Sequence, residues 1–377
     1  MSWVTKGIFL GERHVYMSPQ IDDIFLHNQM WSPETLCGTP VDATTRTFRM
    51  TGADFTSAVQ WQRSLRTGPL TNKLRLTWAF NGEGASGIYQ PDDLTPAVTT
   101  YRADFHWVSH TWDHDNLDTV RAWKAAEEVY LNAEAAERLS LNFDIRNLVT
   151  PDVSGLRNRA AMRAIFREGV RYVVTDTSRA GYSNPSPNTG LWNEFQPKLF
   201  MIPRYPNNLF FNVSTPEEWV AEYNCMYRDY WKRDFTYQDV LENISDTFVT
   251  YLLKGDLNPL MFHQPNVRAY DGGRSLLSDL IDMTIAKYTA LVTFPIDSPT
   301  MDAVGDKMIA RERYNKAGLT ATLVPGKGLV LTAVNKAVVP ITGLNVVGAE
   351  QYAGQSIAYI PIGAARTKTI AIPVAVR

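Results

Sequence analysis

Short apolar segments alternate with amphipathic segments from about residue 7 to residue 295. This alternation is typical of parallel strands, because two parallel strands need a long crossover between them and that crossover is usually a helix. The clearest unit lies between Leu148 and Thr175, where a strand, a helix ended by Gly169 and a second strand rich in β-branched residues follow one another. The pattern therefore predicts an α/β fold built on a parallel sheet or a (β/α) barrel.

A helix start is predicted at residues 215–218. Thr215 fits the N-cap, Pro216 the first helical position and Glu218 the reciprocal capping position. We expect this helix to run to about Trp231. Three further predicted helices cover residues 117–139, 238–253 and 275–288.

The character of the sequence changes after about Pro295. Aromatic residues become rarer, and the segments LTATLV, GLVLTAV, SIAYIPI and TIAIPVAV predict short strands separated by turns. We expect a barrel domain at residues 1–300, a connection at 301–312 and a small all-β, sandwich-like domain at 313–377.

Charge and composition exclude several classes of partner. The chain of 377 residues has 37 basic and 39 acidic side chains, so it lacks the basic excess with which proteins neutralise nucleic-acid phosphates. It contains no run of about 18 apolar residues, so no membrane span is expected, and its first residues lack the apolar stretch of a signal peptide. Cys37 and Cys225 can form at most one bridge and lack the spacing of a cysteine metal site.

Three of the six histidines, His106, His110 and His114, fall within nine positions. Because the segment before His110 alternates like a strand, we expect His110 at the end of a strand, where (β/α) barrels carry their active sites. A spacing of four residues lets His110 and His114 converge on one metal ion if the chain turns helically there. The alternative is a solvated polar cluster on a loop.

Two carboxylates, Asp22 and Asp23, end the apolar segment SPQIDDIFL. Adjacent ionised acids at a buried strand end repel one another and are costly to desolvate, unless a cation or a role as a base retains them. An Asx turn or a helix N-cap is the alternative interpretation. His263 also ends an apolar strand, where it can act as a general acid or, alternatively, serve as a hydrogen-bonded structural residue.

These elements, taken in chain order, resemble the NodB-homology polysaccharide deacetylases. That family has an early Asp-Asp pair, the pattern H-[ST]-x-x-H, an Arg-Pro loop and a late strand that ends in His. The elements here are Asp22-Asp23, His110-Thr111-Trp112-Asp113-His114, Pro203-Arg204-Tyr205-Pro206 and Met261-Phe262-His263. The flanks IDDIFL, AFNGEG, SHTWDH and MFHQPN are most similar to the branch that contains the fungal galactosaminogalactan deacetylase.

The resemblance implies a distorted (β/α) barrel beside a β-rich domain. It also implies a metal-dependent hydrolase that removes N-acetyl groups from a GalNAc or GlcNAc exopolysaccharide, as in biofilms, and releases acetate. Asp23, His110 and His114 would hold the metal, with Zn²⁺ expected and Co²⁺ or Ni²⁺ as alternatives.

The resemblance further implies the roles of the catalytic residues. Asp22 would be the base, Arg204 would orient Asp22, and His263 would be the acid. The backbone near Tyr205 would help to stabilise the oxyanion. The sequence departs from the common family pattern at Ile24, where Gly or Ala usually follows the Asp pair, and in the looser segment around Arg204.

Four residues are predicted to contact the sugar. Asn81 and Glu83 can hydrogen-bond hydroxyl groups, and the rings of Trp112 and Tyr205 can stack on a sugar face. We expect an N-acetylated polysaccharide or oligosaccharide as the partner of a monomeric protein that, in its full-length form, is secreted or held at the cell surface. The alternatives are a metal-independent glycosidase that pairs Asp22 or Asp23 with a carboxylate such as Glu83, and a catalytically inactive carbohydrate-binding barrel.

Overall fold

The computed structural model describes residues 7–32, 46–325 and 327–372 of the chain. Strands and helices alternate through the first three quarters of the chain, and strands alone follow. In chain order the strands are β1 (Phe9–Leu10), β2 (Val15–Tyr16), β3 (Pro19–Ile24), β4 (Asn28–Gln29), β5 (Thr47–Phe48), β6 (Thr77–Phe80), β7 (His106–Ser109), β8 (Phe143–Leu148), β9 (Tyr172–Asp176), β10 (Leu191–Trp192), β11 (Phe200–Arg204), β12 (Leu260–His263), β13 (Ile296–Asp297), β14 (Thr320–Val324), β15 (Gly328–Ala333), β16 (Ala337–Thr342), β17 (Glu350–Tyr352), β18 (Gln355–Ile362) and β19 (Arg366–Ile370).

Eight strands form the main sheet, in the order β10-β11-β9-β8-β7-β6-β3-β12. Within this sheet β10 pairs antiparallel with β11, and the other neighbours pair in parallel. A parallel bridge between Tyr205 and Leu260 joins the end of β11 to β12, so the parallel strands curl round on themselves. The predicted α/β fold with a distorted barrel is thereby confirmed, and the carboxyl ends of these strands meet at one mouth.

The helices of the described chain lie mainly between the strands of this sheet. They are α1 (Gly52–Leu65), α2 (Leu94–Tyr101), α3 (Ala122–Arg138), α4 (Arg159–Arg167), α5 (Pro216–Trp231), α6 (Tyr237–Lys254), α7 (Leu276–Thr289) and α8 (Met301–Asn315). The helices predicted over 238–253 and 275–288 correspond to α6 and α7 within a residue at each end. The unit predicted between Leu148 and Thr175 corresponds to β8, α4 and β9.

Two predicted details differ from the structure. The helix expected from residue 117 begins at Ala122, because Asn158 binds the carbonyls of Leu117 and Val120 and so holds the preceding segment in a loop. At the start of α5 the hydroxyl of Thr215 accepts from the amide of Glu218, as predicted. The carboxylate of Glu218, however, accepts from the backbone of Ser214 and not from that of Thr215.

Helix α8 covers the amino end of the barrel. Met301, Val304 and Met308 are buried in one cluster with side chains of β9 and β11. Gly305 makes this close approach possible, since a Cβ at that position would lie 2.4 Å from the ring of Tyr172. The helix therefore packs as part of the barrel, although it falls in the segment predicted as a connection.

The strands after α8 form the predicted all-β part of the fold. They make a three-stranded sheet, β14-β15-β19, and a four-stranded sheet, β1-β16-β18-β17, which share one apolar core. Strand β1 precedes the barrel in the chain and pairs with β16, so this part combines residues from before and after the barrel. The domain boundaries proposed above stay a prediction. Cys37 lies outside the described residues, and no helix among the described residues has the length and apolarity to cross a bilayer.

Candidate active site

Asp22 and Asp23 end strand β3 with their carboxylates in the same buried region. Neighbouring residues of a regular strand point to opposite faces. Here Asp23 has a φ of 71°, and the register between β3 and β6 shifts between Ile21 and Ile24. This irregularity lets both carboxylates contact side chains from other strands of the barrel.

Asp23 lies between two imidazoles. Its Oδ1 is 3.1 Å from His110 Nε2 and 3.3 Å from His114 Nε2. His110 follows β7, and its Nδ1 lies 2.8 Å from the carbonyl oxygen of Val149, which can only accept a hydrogen bond. Nδ1 therefore carries a proton, and Nε2 faces a carboxylate oxygen that is also an acceptor. Only a further proton or a metal ion can hold these two atoms together.

The charge of Asp23 is strongly favoured by these partners. Burial raises the pKa of its carboxyl, but the hydrogen bonds from His110 and His114 lower that pKa well below the usual range. Burial lowers the pKa of His114, whereas its hydrogen bond with Asp23 and the charge of Asp23 raise it to about 9. The site without a metal therefore favours a cation beside Asp23, as a metal site does.

The three residues also have the chemistry of a zinc site. Their ligand atoms all lie within 4.8 Å of one another. Two imidazole nitrogens and one carboxylate oxygen are donors that Zn²⁺ prefers, and a three-residue set leaves a position for water or substrate. The residues present thus fit the expected metal.

Asp22 forms a second, adjoining part of the site. Its Oδ2 accepts a 2.9 Å hydrogen bond from Nη2 of Arg204, which ends β11 and is fully buried. His263, at the end of β12, places its Nε2 at 4.0 Å from the same oxygen. Burial lowers the pKa of the His263 imidazole below its ordinary value, and the charges of Asp23 and Asp22 offset only part of that effect. The structure thus brings all six predicted catalytic and metal-binding residues to the carboxyl ends of the strands.

The residues predicted to contact the sugar are placed less uniformly. Trp112 and Glu83 are partly exposed at this end of the barrel, and the amide of Glu83 donates to the carbonyl of Trp112. Asn81 is fully buried, and its amide donates to the carbonyls of His110 and Thr111 at 2.6 and 3.0 Å. Asn81 therefore supports the histidine loop and does not offer its amide to a sugar hydroxyl, contrary to expectation.

Tyr205 also differs from expectation. Its ring stacks on that of Tyr251 in α6 at a centroid distance of 4.2 Å, and its hydroxyl donates to Asp256. Its backbone amide donates to the carbonyl of Pro259, in the bridge that closes the barrel. The amide is therefore used in closing the barrel and one face of the ring in packing on α6, but the residue is partly exposed, so its contact with a sugar stays a prediction.

Several residues of the site carry no motif that would reveal them in the sequence. Asn28 donates to Oδ2 of Asp23 at 2.6 Å, and Gln264 in turn donates to Asn28. This relay turns the other oxygen of Asp23 towards the two histidines. The ring of Phe211, 42 % exposed, lies 5.7 Å from that of His263. The adjacency of Gln264 to His263 was the single available sequence signal.

A parallel barrel that gathers carboxylates, imidazoles and a guanidinium at the carboxyl ends of its strands belongs to the class of (β/α)-barrel enzymes. The family model described as the Agd3 deacetylase domain matches residues 89–321, which is more than half of the chain. The chain belongs to this family of carbohydrate deacetylases. The predicted resemblance to polysaccharide deacetylases is thus confirmed.

Among solved structures, that of one carbohydrate deacetylase shares the fold over almost the whole chain. The crystal structure of the carbohydrate deacetylase Agd3 superposes with a TM-score of 0.84 at 19 % identity, covering 99 % of this chain and 67 % of that one. The family 4 carbohydrate esterase from Streptomyces lividans, in complex with acetate, has 12 % identity and a TM-score of 0.36, covering 76 % of this chain and 92 % of that one. A search of the curated proteins finds no match.

Proposed function

We propose that this chain is a metal-dependent deacetylase that hydrolyses the N-acetyl groups of an N-acetylhexosamine polymer and releases acetate. One observation carries the proposal: the donor set of Asp23, His110 and His114 adjoins a second carboxylate, Asp22, which is hydrogen-bonded to Arg204 and is not part of that set. Membership of a carbohydrate deacetylase family supports the same conclusion. Because such polymers lie outside cells, we also propose a secreted or surface location for the full-length protein.

The metal would be held by Asp23, His110 and His114. When bound, Zn²⁺ in such a site polarises a carbonyl group and lowers the pKa of water, which makes amide hydrolysis feasible at neutral pH. His110 contributes a fixed tautomer, because its Nδ1–H is held by the carbonyl of Val149. Asn28 fixes the orientation of the Asp23 carboxylate.

Asp22 is suited to act as the general base. Arg204 holds its Oδ2, while its Oδ1 is buried without a hydrogen-bond partner among the described residues. That oxygen can take a proton from the attacking water as the water oxygen bonds to the amide carbon.

His263 is suited to act as the general acid. Its Nε2 lies 4.0 Å from Asp22 Oδ2. When the carbon–nitrogen bond breaks, the imidazolium gives its proton to the departing amine, and acetate and a sugar amine are the products. The proton taken by Asp22 is then available to recharge the neighbouring imidazole.

The arrangement favours deacetylation over the alternative of a glycosidase. A glycosidase needs two carboxyl groups that flank the scissile bond, one of which can donate a proton. Here the hydrogen bonds from two histidines hold the pKa of Asp23 well below its usual range, so Asp23 is not suited to donate a proton to a leaving group. A glycosidase would therefore need another carboxyl group, such as that of Glu83, as its acid, and the experiment below distinguishes the two functions.

The decisive experiment is mass spectrometry of GalNAc and GlcNAc oligomers after incubation with the protein. We expect a mass decrease of one acetyl group per reacted sugar, a loss of this activity with a chelator and its return when Zn²⁺ is added back. Cleavage into shorter oligomers that persists with chelator would instead establish the glycosidase. Binding without any change in mass would establish an inactive carbohydrate-binding barrel.

A further inference from the structure

The loop that joins the two histidine ligands has a backbone conformation that must be held in place. Thr111 and His114 both have a φ of 68°, in the left-handed region that side chains other than glycine disfavour. Such a conformation costs of order 1–3 kcal/mol per residue and persists only where neighbouring groups fix it. The position of the His114 imidazole relative to His110 therefore depends on what binds the backbone between them.

One face of helix α3 supplies those contacts. Lys124, Glu128 and Asn132 are spaced four residues apart, so their side chains lie on the same face of the helix. Glu128 and Asn132 are fully buried despite their polarity. Buried polar side chains of this kind need partners, and all three residues find them in the loops that carry the proposed active site.

Glu128 binds the histidine loop directly. Its Oε2 accepts hydrogen bonds from the backbone amides of Trp112 and Asp113, at 2.9 and 3.1 Å. These two amides lie between Thr111 and His114, the two residues with positive φ. A single buried carboxylate thus fixes the middle of the strained turn, with hydrogen bonds that its charge strengthens.

Lys124 pairs with that carboxylate. Its Nζ lies 2.7 Å from Oε1 of Glu128 and 3.0 Å from Oδ2 of Asp113. Asp113, Asp115 and Glu128 have the spacing of a second metal-binding group, but the ammonium of Lys124 lies among them, within 3.5 Å of an oxygen of each. This cluster is therefore filled by a cation of the protein itself, and it serves the loop instead of binding a second metal.

Asn132 completes the support one turn further along the helix. Its side chain accepts from the amide of Gly82 at 2.7 Å and donates to the carbonyl of Phe80 and the hydroxyl of Ser109. It thereby ties the ends of β6 and β7 to α3. The histidine loop is attached to one rigid helix as well as to the sheet.

We propose that Glu128, held by Lys124, is a positioning residue that sets the metal affinity of the site by fixing the backbone between His110 and His114. The inference rests on the proposed function, since it assigns support to the proposed metal ligands. Glu128 has no hydrogen bond to the imidazole of either ligand in the described structure, so it acts on the ligands through the backbone amides of Trp112 and Asp113.

The test compares Glu128→Ala and Glu128→Gln with Glu127→Gln in the full chain. Glu127 is a matched control, because it lies on the same helix and contacts Lys124 at 3.4 Å but binds no loop amide in the described structure. We expect Glu128→Ala to weaken Zn²⁺ binding about 10–100-fold in a chelator competition, as is usual when support of a ligand is lost. Glu128→Gln should lose less, since its amide oxygen still accepts, and the control should lose nothing.

A second measurement needs neither metal nor activity. In the metal-free protein, hydrogen exchange of the amides of Trp112 and Asp113 should become faster in Glu128→Ala and stay unchanged in Glu127→Gln. Unchanged exchange and unchanged Zn²⁺ affinity in Glu128→Ala would overturn the proposal. If Glu128→Ala does not fold, Glu128→Gln and Lys124→Met decide by the same two measurements.

These results separate the inference from the proposed function. If the wild-type protein binds Zn²⁺ but deacetylates no oligomer, the proposed function fails while the affinity series still tests Glu128. If the wild-type protein binds no Zn²⁺, the proposed metal site fails, and the exchange of the two amides alone decides whether Glu128 fixes the loop.

Discussion

The two ends of the barrel differ in the kind of side chain that they bury. At the amino end, Met301, Val304 and Met308 of α8 close the barrel with apolar packing. At the carboxyl end, ionisable side chains meet on irregular backbone, and Asp22 and Arg204 keep buried polar atoms without hydrogen-bond partners among the described residues. Polar atoms left unpaired cost stability, and those of Asp22 and Arg204 lie where a substrate or water can bind them. One end of the molecule therefore serves stability and the other chemistry.

Two histidines on one strand allow the strongest test of this division. His110 follows β7 at the carboxyl end, whereas His106 begins β7 and its ring bonds the carbonyl of Ser298 at the amino end. We expect His110→Ala to lose bound Zn²⁺ and to lower kcat at least roughly 1,000-fold, since the metal supplies several kcal/mol of transition-state stabilisation. Metal content and the acetyl-release assay measure both effects.

His106→Ala is the control for this comparison. It removes an imidazole from the same strand but should leave the metal content unchanged and kcat within a factor of about two, because the substituted ring is remote from the chemistry. Full deacetylation by His110→Ala would contradict the assignment of the site. An equal loss of activity in both variants would contradict the division between the two ends.

Asp22→Asn should produce the next largest effect. The amide keeps the shape of the carboxylate and can still accept from Arg204, but it cannot take a proton from water. We expect kcat to fall about 10²–10⁴-fold, the usual contribution of a general base, with the Zn²⁺ affinity unchanged. A variant that lost its metal together with its activity would place Asp22 among the ligands instead.

The amino end should show the reverse pattern, in which stability changes and activity does not. In Gly305→Ala the new methyl group would collide with the ring of Tyr172, which lies 2.4 Å from the position of a Cβ. We expect the free energy of unfolding to fall by about 1–3 kcal/mol, as is usual for overpacking, while kcat of the folded protein stays unchanged. Denaturant titration and the acetyl-release assay measure the two quantities.

Ala310→Ser, at an exposed position of the same helix, is the matched control for Gly305→Ala. It should change neither stability nor kcat measurably, because surface substitutions usually alter stability by less than about 0.5 kcal/mol. If Gly305→Ala unfolded no more easily than this control, α8 would be able to move away from β9 without cost. Packing at the amino end would then not contribute to stability as proposed.

The sequence was informative where chemistry coincides with the end of a regular strand. Asp22, His110 and His263 could be placed at one mouth, because the strands before them are apolar and parallel strands share a direction. The positive φ of Asp23, which brings its carboxylate beside that of Asp22, could not be predicted from a pattern of alternation. It depends on the register between β3 and β6, which forms only in the folded sheet.

The predictions about substrate contacts had a weaker physical basis. Asn81 and Tyr205 have side chains suited to binding a sugar, but the structure uses them to hold the histidine loop and to close the barrel. Residue type indicates what a side chain can bond, whereas burial decides which partner it reaches. For the same reason the supports of the site, Asn28 and Gln264, carried no signal of their own.

The smallest expected effects are changes in the pKa values of two histidines, and these values also differ between the amino and carboxyl ends of the barrel. Burial and the charge of Arg75 lower the pKa of His106 to about 4, whereas Asp23 raises that of His114 to about 9 against the effect of burial. In the metal-free protein, NMR titration of the ring protons should therefore show two histidines with opposite shifts. Asp23→Asn should return His114 towards its ordinary pKa and leave His106 unchanged, because of these two histidines only His114 is bonded to that carboxylate.

The two histidines should change the free energy of unfolding with pH in opposite directions. His106 has a lower pKa in the folded than in the unfolded protein, so its contribution is lost as the pH falls from about 6.5 towards 4. His114 has a higher pKa in the folded state, so its contribution is complete below about pH 6.5 and is lost as the pH rises through 9. When the pH falls from 6.5 to 4, the free energy of unfolding should therefore decrease by about 1–3 kcal/mol less in His106→Gln than in the wild-type protein. If the free energy of unfolding of this variant depended on pH as that of the wild-type protein does, the packing at the amino end would not disfavour the charged form of His106.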